Sequence, residues 1–384
     1  MSPAPGLQAP LLPNSKTEKR PWVSGAVFNV ATSIIGAGIM SIAATVKVLG
    51  VIPAFVLIVI IAWLTDVSVE ILMRYTHAGE TSTYAGVMRE SFGRAGSVAA
   101  QLCVMITNLG CLIIFFIIIG SVHLGVLQEW CGFHWWNTRV IALLFVMVFV
   151  MLPLALFGLT HCVFSSAISV LLAVMFVAIC SVMAIYAVGE GKSKSPKLLP
   201  QLDNHVSLFD LFPAVPVIVT AFTFYFNGFE LDKPSDMITA VRISLVLCTA
   251  IYFSVGLFGY LLFGESIIYA LHLMLVFPML NFSPRANIDE LLFSQRPLLA
   301  LVLLVFSYTA AIMIPDIWYF FQFLGSTSAV CLAFIFPGVI VLRDVHGIST
   351  TGDRIIATVM MVLAVVTSTI AISTNIYGSI SNKS

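Results

Sequence analysis

Two short stretches combine the residue types that a binding site buried in lipid needs. Ser33-Ile34-Ile35-Gly36-Ala37-Gly38 lies in the middle of an apolar run, and its two glycines beside hydroxyl neighbours lower helix preference. Unwinding there would free backbone amides and carbonyls, which lipid tolerates only where they line a cavity or meet a ligand. The same composition suits a small-residue face for close helix packing, and the residues alone do not choose between the two. The second stretch, Phe224-Tyr225-Phe226-Asn227-Gly228, follows the hydroxyl-bearing Thr220 and Thr223. By itself Asn227-Gly228 reads equally as a turn that ends a helix. Interruptions at corresponding positions of two inverted halves point to a transporter's binding site, so the pair weighs more than either member.

Ionisable residues inside apolar runs are costly at depth and are therefore functional suspects. Asp66 and Glu70 stand four apart on one helix face and could relay protons into a cavity. Both also lie close to Arg74, and a structural ion pair at the membrane interface is the favoured reading. His123 and His272 could titrate near neutral pH, although a satisfied core histidine is the commoner case. Lys47, at a helix end, would snorkel to the interface. Motifs of the GxSxG, HExxH and Walker types are absent, so the sequence offers no support for an enzyme.

The elements that position these residues are set by composition. Of 384 residues, 60% are hydrophobic and 9% charged, whereas a soluble domain carries about 25% charged residues. Apolar runs long enough to cross a hydrocarbon core about 30 Å thick recur along almost the whole chain, which makes it an all-α integral membrane protein. Candidate segments fall near 23–49, 51–73, 98–127, 139–157, 162–189, 208–227, 242–263, 267–280, 298–314, 317–342 and 355–378. Segment 267–280 would span only about 21 Å and 298–314 about 25 Å, so these two are short for crossing. Residues 1–20, with Pro3, Pro5, Pro10 and Pro13, read as a disordered tail, and 21–384 as the membrane domain.

Lys and Arg set the orientation. With the N-terminus inside and eleven crossings, the inner side holds Arg74, Arg89, Arg94, Arg242, Arg343 and Arg354 among others. The outer side holds Arg139, Lys192, Lys194, Lys197 and Lys383, which supports a cytoplasmic N-terminus. The formal net charge of zero suggests no nucleic-acid partner; the partner is the lipid bilayer. The seven cysteines form no CxxC pair and read as small core residues.

The run Phe28-Asn29-Val30-Ala31-Thr32-Ser33-Ile34-Ile35-Gly36-Ala37-Gly38-Ile39-Met40 resembles the first helix of the amino acid/auxin permease family. Within it, the match is to the branch shared by sodium-coupled neutral amino-acid transporters and plant vacuolar-type transporters. Agreement extends through Trp63-Leu64-Thr65-Asp66, Thr83-Tyr84, Lys233-Pro234, Arg285-Ala286-Asn287 and Phe336-Pro337-Gly338. What the resemblance implies is a LeuT-like secondary transporter with eleven helices, two inverted repeats of five plus one, in a vacuolar or other endomembrane. A neutral amino acid would lie between broken helices 1 and 6. Its carboxylate would be met near Ser33, Gly36, Ala37 and Gly38, and its amine and side chain near Thr220, Phe222, Thr223 and Asn227. No cofactor is implied beyond a proton or sodium gradient.

Coupling-ion or proton candidates are Thr32, Asp66, Glu70 and His272. Sodium-coupled relatives place an Asn in helix 1 and a hydroxyl in helix 8. The equivalent positions here are Thr32 and the apolar Met274-Leu275-Val276, and this loss of hard oxygen ligands favours proton coupling or cation-independent exchange. The chain also departs from the family's pattern. Ala43 replaces a usual Pro, an insert with a His-Pro pair is missing between Asn227 and Gly228, and the connection after Gly264 is shortened. These look like internal deletions. They leave open a second expectation, a transport-incompetent homologue acting as a membrane sensor or assembly partner.

Overall fold

The computed structural model describes residues 23–79, 81, 83–131, 139–151, 163–190, 198–199, 211–223, 234–263, 297–314 and 317–381, and among them every regular element is a helix. The expected tail at 1–20, segment 267–280 and the departures around Asn227 and Gly264 lie outside the described residues.

Helix α1 (Val23–Leu49) ends because Gly50 takes φ 79°, which a glycine adopts without a Cβ penalty, and donates its N–H to Val46 O at 2.9 Å. The same glycine precedes α2 (Val51–Ala78), whose first turn accommodates Pro53 because no intrahelical donor is needed there. Thr83 caps α3 (Tyr84–Cys131), its hydroxyl accepting the Gly86 N–H at 3.1 Å. Gly93, at φ 67°, then kinks α3 and separates a short leading helix from the long apolar one. Helix α4 (Arg139–Val146) continues as a π turn to Met151, and α5 covers Val163–Gly189.

The second half contains α6 (Ala214–Phe222), α7 (Pro234–Phe263), α8 (Pro297–Met313), α9 (Ile317–Arg343) and α10 (Thr351–Ser381). Within α9, two π turns, Gly325–Ala329 and Cys331–Ile335, replace regular winding. Among the described residues, five helices are long and apolar enough to cross a membrane: Val51–Ala78, Tyr84–Ile118, Ser235–Leu261, Ile317–Arg343 and Thr351–Tyr377. Their outward faces are apolar, as with Trp63, Met105 and Val246, because the surroundings are hydrocarbon. The main core gathers α1, α2, α6 and α7, with α1 packed most extensively on α7 and α6. A smaller core of Ile71, Leu72, Tyr75, Val87, Met88 and Ile340 joins α2, α3 and α9 at the Arg74 end.

Candidate functional site

Helix α6 has only nine residues, about 14 Å of helix, and all of them but Val215 are buried. It therefore stops inside the protein. At the β-branched Thr223 the backbone turns extended, with φ −77° and ψ 118°, and the aromatic Phe224, Tyr225 and Phe226 come next in the sequence. The carbonyls left over at its C-terminus are met locally. The Thr223 hydroxyl donates to Val219 O at 2.7 Å, the Thr223 N–H to Thr220 O at 3.2 Å, and the Tyr252 hydroxyl to Ala221 O at 2.9 Å. A buried helix C-terminus concentrates partial negative charge, which suits an ammonium group.

Helix α1 behaves differently. It is continuous from Val23 to Leu49, so the break expected at Ser33–Gly38 is corrected: the winding is unbroken there. The hydroxyls that lower helix preference bond back onto the helix's own carbonyls, Thr32 to Phe28 O at 2.8 Å, Ser33 to Asn29 O at 3.0 Å and Ser41 to Gly38 O at 2.8 Å. Small residues serve packing instead. Gly38 lies beneath Tyr252, and a Cβ there would stand 1.8 Å from the phenolic oxygen. The fully buried Tyr252 hydroxyl also reaches Ile34 O at 2.5 Å, so a single proton is shared between carbonyls of α1 and α6. Ser33 is exposed, away from that contact.

Beside the end of α6 is a small, partly open cavity of about 40 Å³. Phe222 and Thr223 form one wall; Thr65, Ser68, Val69 and Leu72 of α2, Tyr84 and Val104 of α3, and Leu332 and Ala333 of α9 form the rest. The polar part of the α9 wall has a simple origin. The Phe336 N–H reaches back five residues to Cys331 O, and the next residue, Pro337, has no N–H to give. Leu332 O is thereby left to the Tyr84 hydroxyl at 2.8 Å, and Ala333 O to the Ser68 hydroxyl at 2.5 Å. Gly325 lets α9 approach α6, since a Cβ there would stand 2.1 Å from Pro216 O and 2.6 Å from the Thr220 hydroxyl, which itself donates to Pro216 O.

Of the expected substrate residues, the structure thus brings together Gly38, Thr220, Phe222 and Thr223; Phe222 meets the Tyr252 ring edge-on, with centroids 5.2 Å apart. Gly36 and Ala37 lie within continuous α1, and Asn227 lies outside the described residues. Asp66 and Glu70 do not line the cavity. They share the opposite face of α2, where Arg242 of α7 bonds Asp66 at 3.1 and 3.2 Å and Glu70 at 2.7 Å. Glu70 also lies 3.7 Å from Arg74, which holds Asp353 of α10 in a two-pronged bond at 3.0 and 3.1 Å. The ion-pair reading of these carboxylates is the one the geometry matches. His272 lies outside the described residues.

The connection from α9 to α10 is organised by Asp344, in the left-handed region at φ 43°. Its carboxylate accepts bonds from the Ser349 hydroxyl, the Tyr75 hydroxyl, Arg354 and the Ile348 N–H. The Ser349 hydroxyl first, then Tyr75, with Arg354 adding to them, hold its pKa well below the ordinary aspartate range. Sequence reading missed Tyr252, Tyr84 and Ser68. Each is a lone hydroxyl in or beside an apolar run, and only the missing N–H of Pro337 signalled that carbonyls nearby would need donors.

The sequence pattern of the family described as transmembrane amino acid transporter protein matches residues 22–278. Amino acid transporter AVT6C of Arabidopsis thaliana is 52% identical over 421 residues, covering 96% of this chain and 97% of that protein. Sodium-coupled neutral amino acid transporter 7 of Danio rerio is 24% identical, covering 88% and 83%. Alignment over 421 residues exceeds the 384 of this chain, so the Arabidopsis protein carries internal stretches that this chain lacks. Among solved structures, a manganese transporter of Eremococcus coleocola superposes with a TM-score of 0.60 at 12% identity, covering 96% of this chain and 90% of that one. Mhp1, a nucleobase-cation-symport-1 family transporter in a closed conformation, gives 0.54 at 13% identity, covering 92% of each chain. At such identities the likeness speaks for the fold, which is the LeuT-like helical membrane fold.

Proposed function

Because the chain belongs to the transmembrane amino acid transporter family, we propose that it is a secondary transporter of neutral L-amino acids working by alternating access. The observation that carries this reading is the C-terminus of α6, which ends buried beside a cavity. The substrate's ammonium group is bound there, at the carbonyls of Ala221 and Phe222. Its carboxylate is met by the amides of Gly36, Ala37 and Gly38 when α1 unwinds at its two glycines, a change that releases Tyr252 from Ile34 O. Alternation between wound and unwound α1 is then part of the transport cycle.

The driving gradient is one of protons. Thr32 offers one hydroxyl where a sodium ion would take several hard oxygens. Asp66 and Glu70 staple α2 to α7 through Arg242 rather than carry the proton. The N-terminus faces the cytoplasm and the membrane is vacuolar or another endomembrane, in keeping with the distribution of Lys and Arg and with the plant relatives.

The test is uptake of radiolabelled glutamine into proteoliposomes holding the full chain. An inward proton gradient without sodium is expected to drive accumulation that a protonophore abolishes. Accumulation driven only by sodium overturns the coupling. A second reading, a transport-incompetent sensor or assembly partner, is favoured by the internal stretches the chain lacks. Absence of flux for every neutral amino acid, from protein that melts cooperatively, decides for it.

A further inference from the structure

Two amides in the interior lack partners. Asn108 of α3 is 1% exposed, and neither its Oδ1 nor its Nδ2 has a hydrogen-bond partner; Gln322 of α9 is 3% exposed, and its Oε1 has none. Buried polar groups are almost always bonded, and an apolar residue of the same size would cost less here. Lipid cannot supply the missing bonds.

Their positions are fixed by the register of the two helices. The Thr107 hydroxyl meets the Ser328 hydroxyl at 2.6 Å, and Gly110 is covered by Leu324, so α3 and α9 run antiparallel with Asn108 level with the Gly325 turn. Gly325 is also where α9 touches Pro216 and Thr220 of α6. Asn108 lies one helical turn beyond Val104, on the same face, and Val104 is part of the cavity wall. Gln322 precedes Gly325 by about one turn. Asn108 therefore stands about one turn, roughly 5 Å, past the cavity wall, which is also the reach of a glutamine-sized side chain from its α-carbon, whereas Gln322, well before Leu332 of that wall, stands about three turns away.

We propose that Asn108 is the specificity-determining group for the substrate's side chain, selecting neutral amino acids that end in an amide or a hydroxyl over aliphatic ones of equal size. An asparagine amide offers one acceptor and two donors, and a substrate amide or hydroxyl satisfies them as no methyl group can. An aliphatic substrate leaves the buried amide unpaired, so the site discriminates by the cost of the wrong ligand. The inference rests on the transport reading above and adds the side-chain class to it.

The experiment compares proteoliposome uptake of glutamine and norvaline by the full chain and by Asn108→Leu. The wild type is expected to prefer glutamine about tenfold or more, and Asn108→Leu to lower that ratio about tenfold, with Gln322→Leu, remote from the cavity, leaving it unchanged. A ratio unchanged in Asn108→Leu means the amide holds a structural water only and overturns the proposal, as does a wild type without preference. Should Asn108→Leu not fold, the wild-type ratio and that of the smaller Asn108→Ala decide alone. Failure of the wild type to move either amino acid overturns the transport reading itself, an outcome distinct from loss of selectivity.

Discussion

Helices α1 and α6 stand against each other in the core as the first helices of two halves, yet one runs 27 residues without interruption and the other stops after nine. Glycine content predicts the opposite, because α1 carries Gly36 and Gly38 while Ala214–Phe222 contains none. The difference lies in how each helix closes its own hydrogen bonds. In α1 each hydroxyl bonds a carbonyl of the preceding turn while the amides keep theirs, so the ladder closes over the glycines. In α6 the Thr223 N–H turns back only three residues and the chain leaves the helix. Glycine makes unwinding inexpensive; it does not by itself unwind anything.

The comparison can be broken most severely from the α6 side. Gly325→Ala drives a Cβ into Pro216 O, a backbone atom that cannot swing away, and about 3 kcal/mol of stability is expected to go with it. The melting temperature of purified protein in detergent reads this, and an unchanged midpoint would show that α9 does not brace α6. A smaller effect is expected on the α1 side, where the obstacle is the tip of a side chain. Gly38→Ala should cost about 2 kcal/mol and Tyr252→Phe about 1 kcal/mol, with the double variant costing less than their sum because the colliding oxygen is gone. Additive costs would mean that the hydroxyl does not couple the two helices.

The smallest effect belongs to the Arg74 end, remote from both helix ends, and it sharpens the contrast by titrating. Asp344 has its folded-state pKa lowered from the ordinary 3.8, so its stabilisation is fully present above that value and is lost as pH falls through the lowered one. Relative to Asp344→Asn, the wild type should melt at a constant higher temperature from pH 7 down to about 4, then lose the advantage below. A gap that persists undiminished at low pH would remove Asp344 from the account. The bonds of Tyr252 to α1 and α6 are not expected to respond over this range.

Much of the architecture was legible because lipid enforces length and apolarity so strictly. The segments at 23–49, 51–73, 242–263, 317–342 and 355–378 all fall on helices. The segment read as 208–227 falls on α6, but the helix already ends at Phe222, and the interruption expected at 224–228 lies outside the described residues. The unbroken α1 was not legible, because the choice between an unwound site and a packing face depends on Tyr252, more than 200 positions away. Asp66 and Glu70 could be placed on one face of α2, but the face's partner, Arg242, is equally remote. Asn108 and Gln322 drew no attention, since an amide within an apolar run reveals nothing of whether it is paired.

Pro337 carries a lesson about inheritance. The polar side of the α9 wall consists of main-chain oxygens at Leu332 and Ala333, exposed by an N–H that a neighbour lacks. Replacement of either residue by another apolar one leaves those oxygens where they are. Drift at 332 and 333 is thus nearly silent for the cavity's chemistry, while one codon at 337, or the gain or loss of one residue between 325 and 337, erases it.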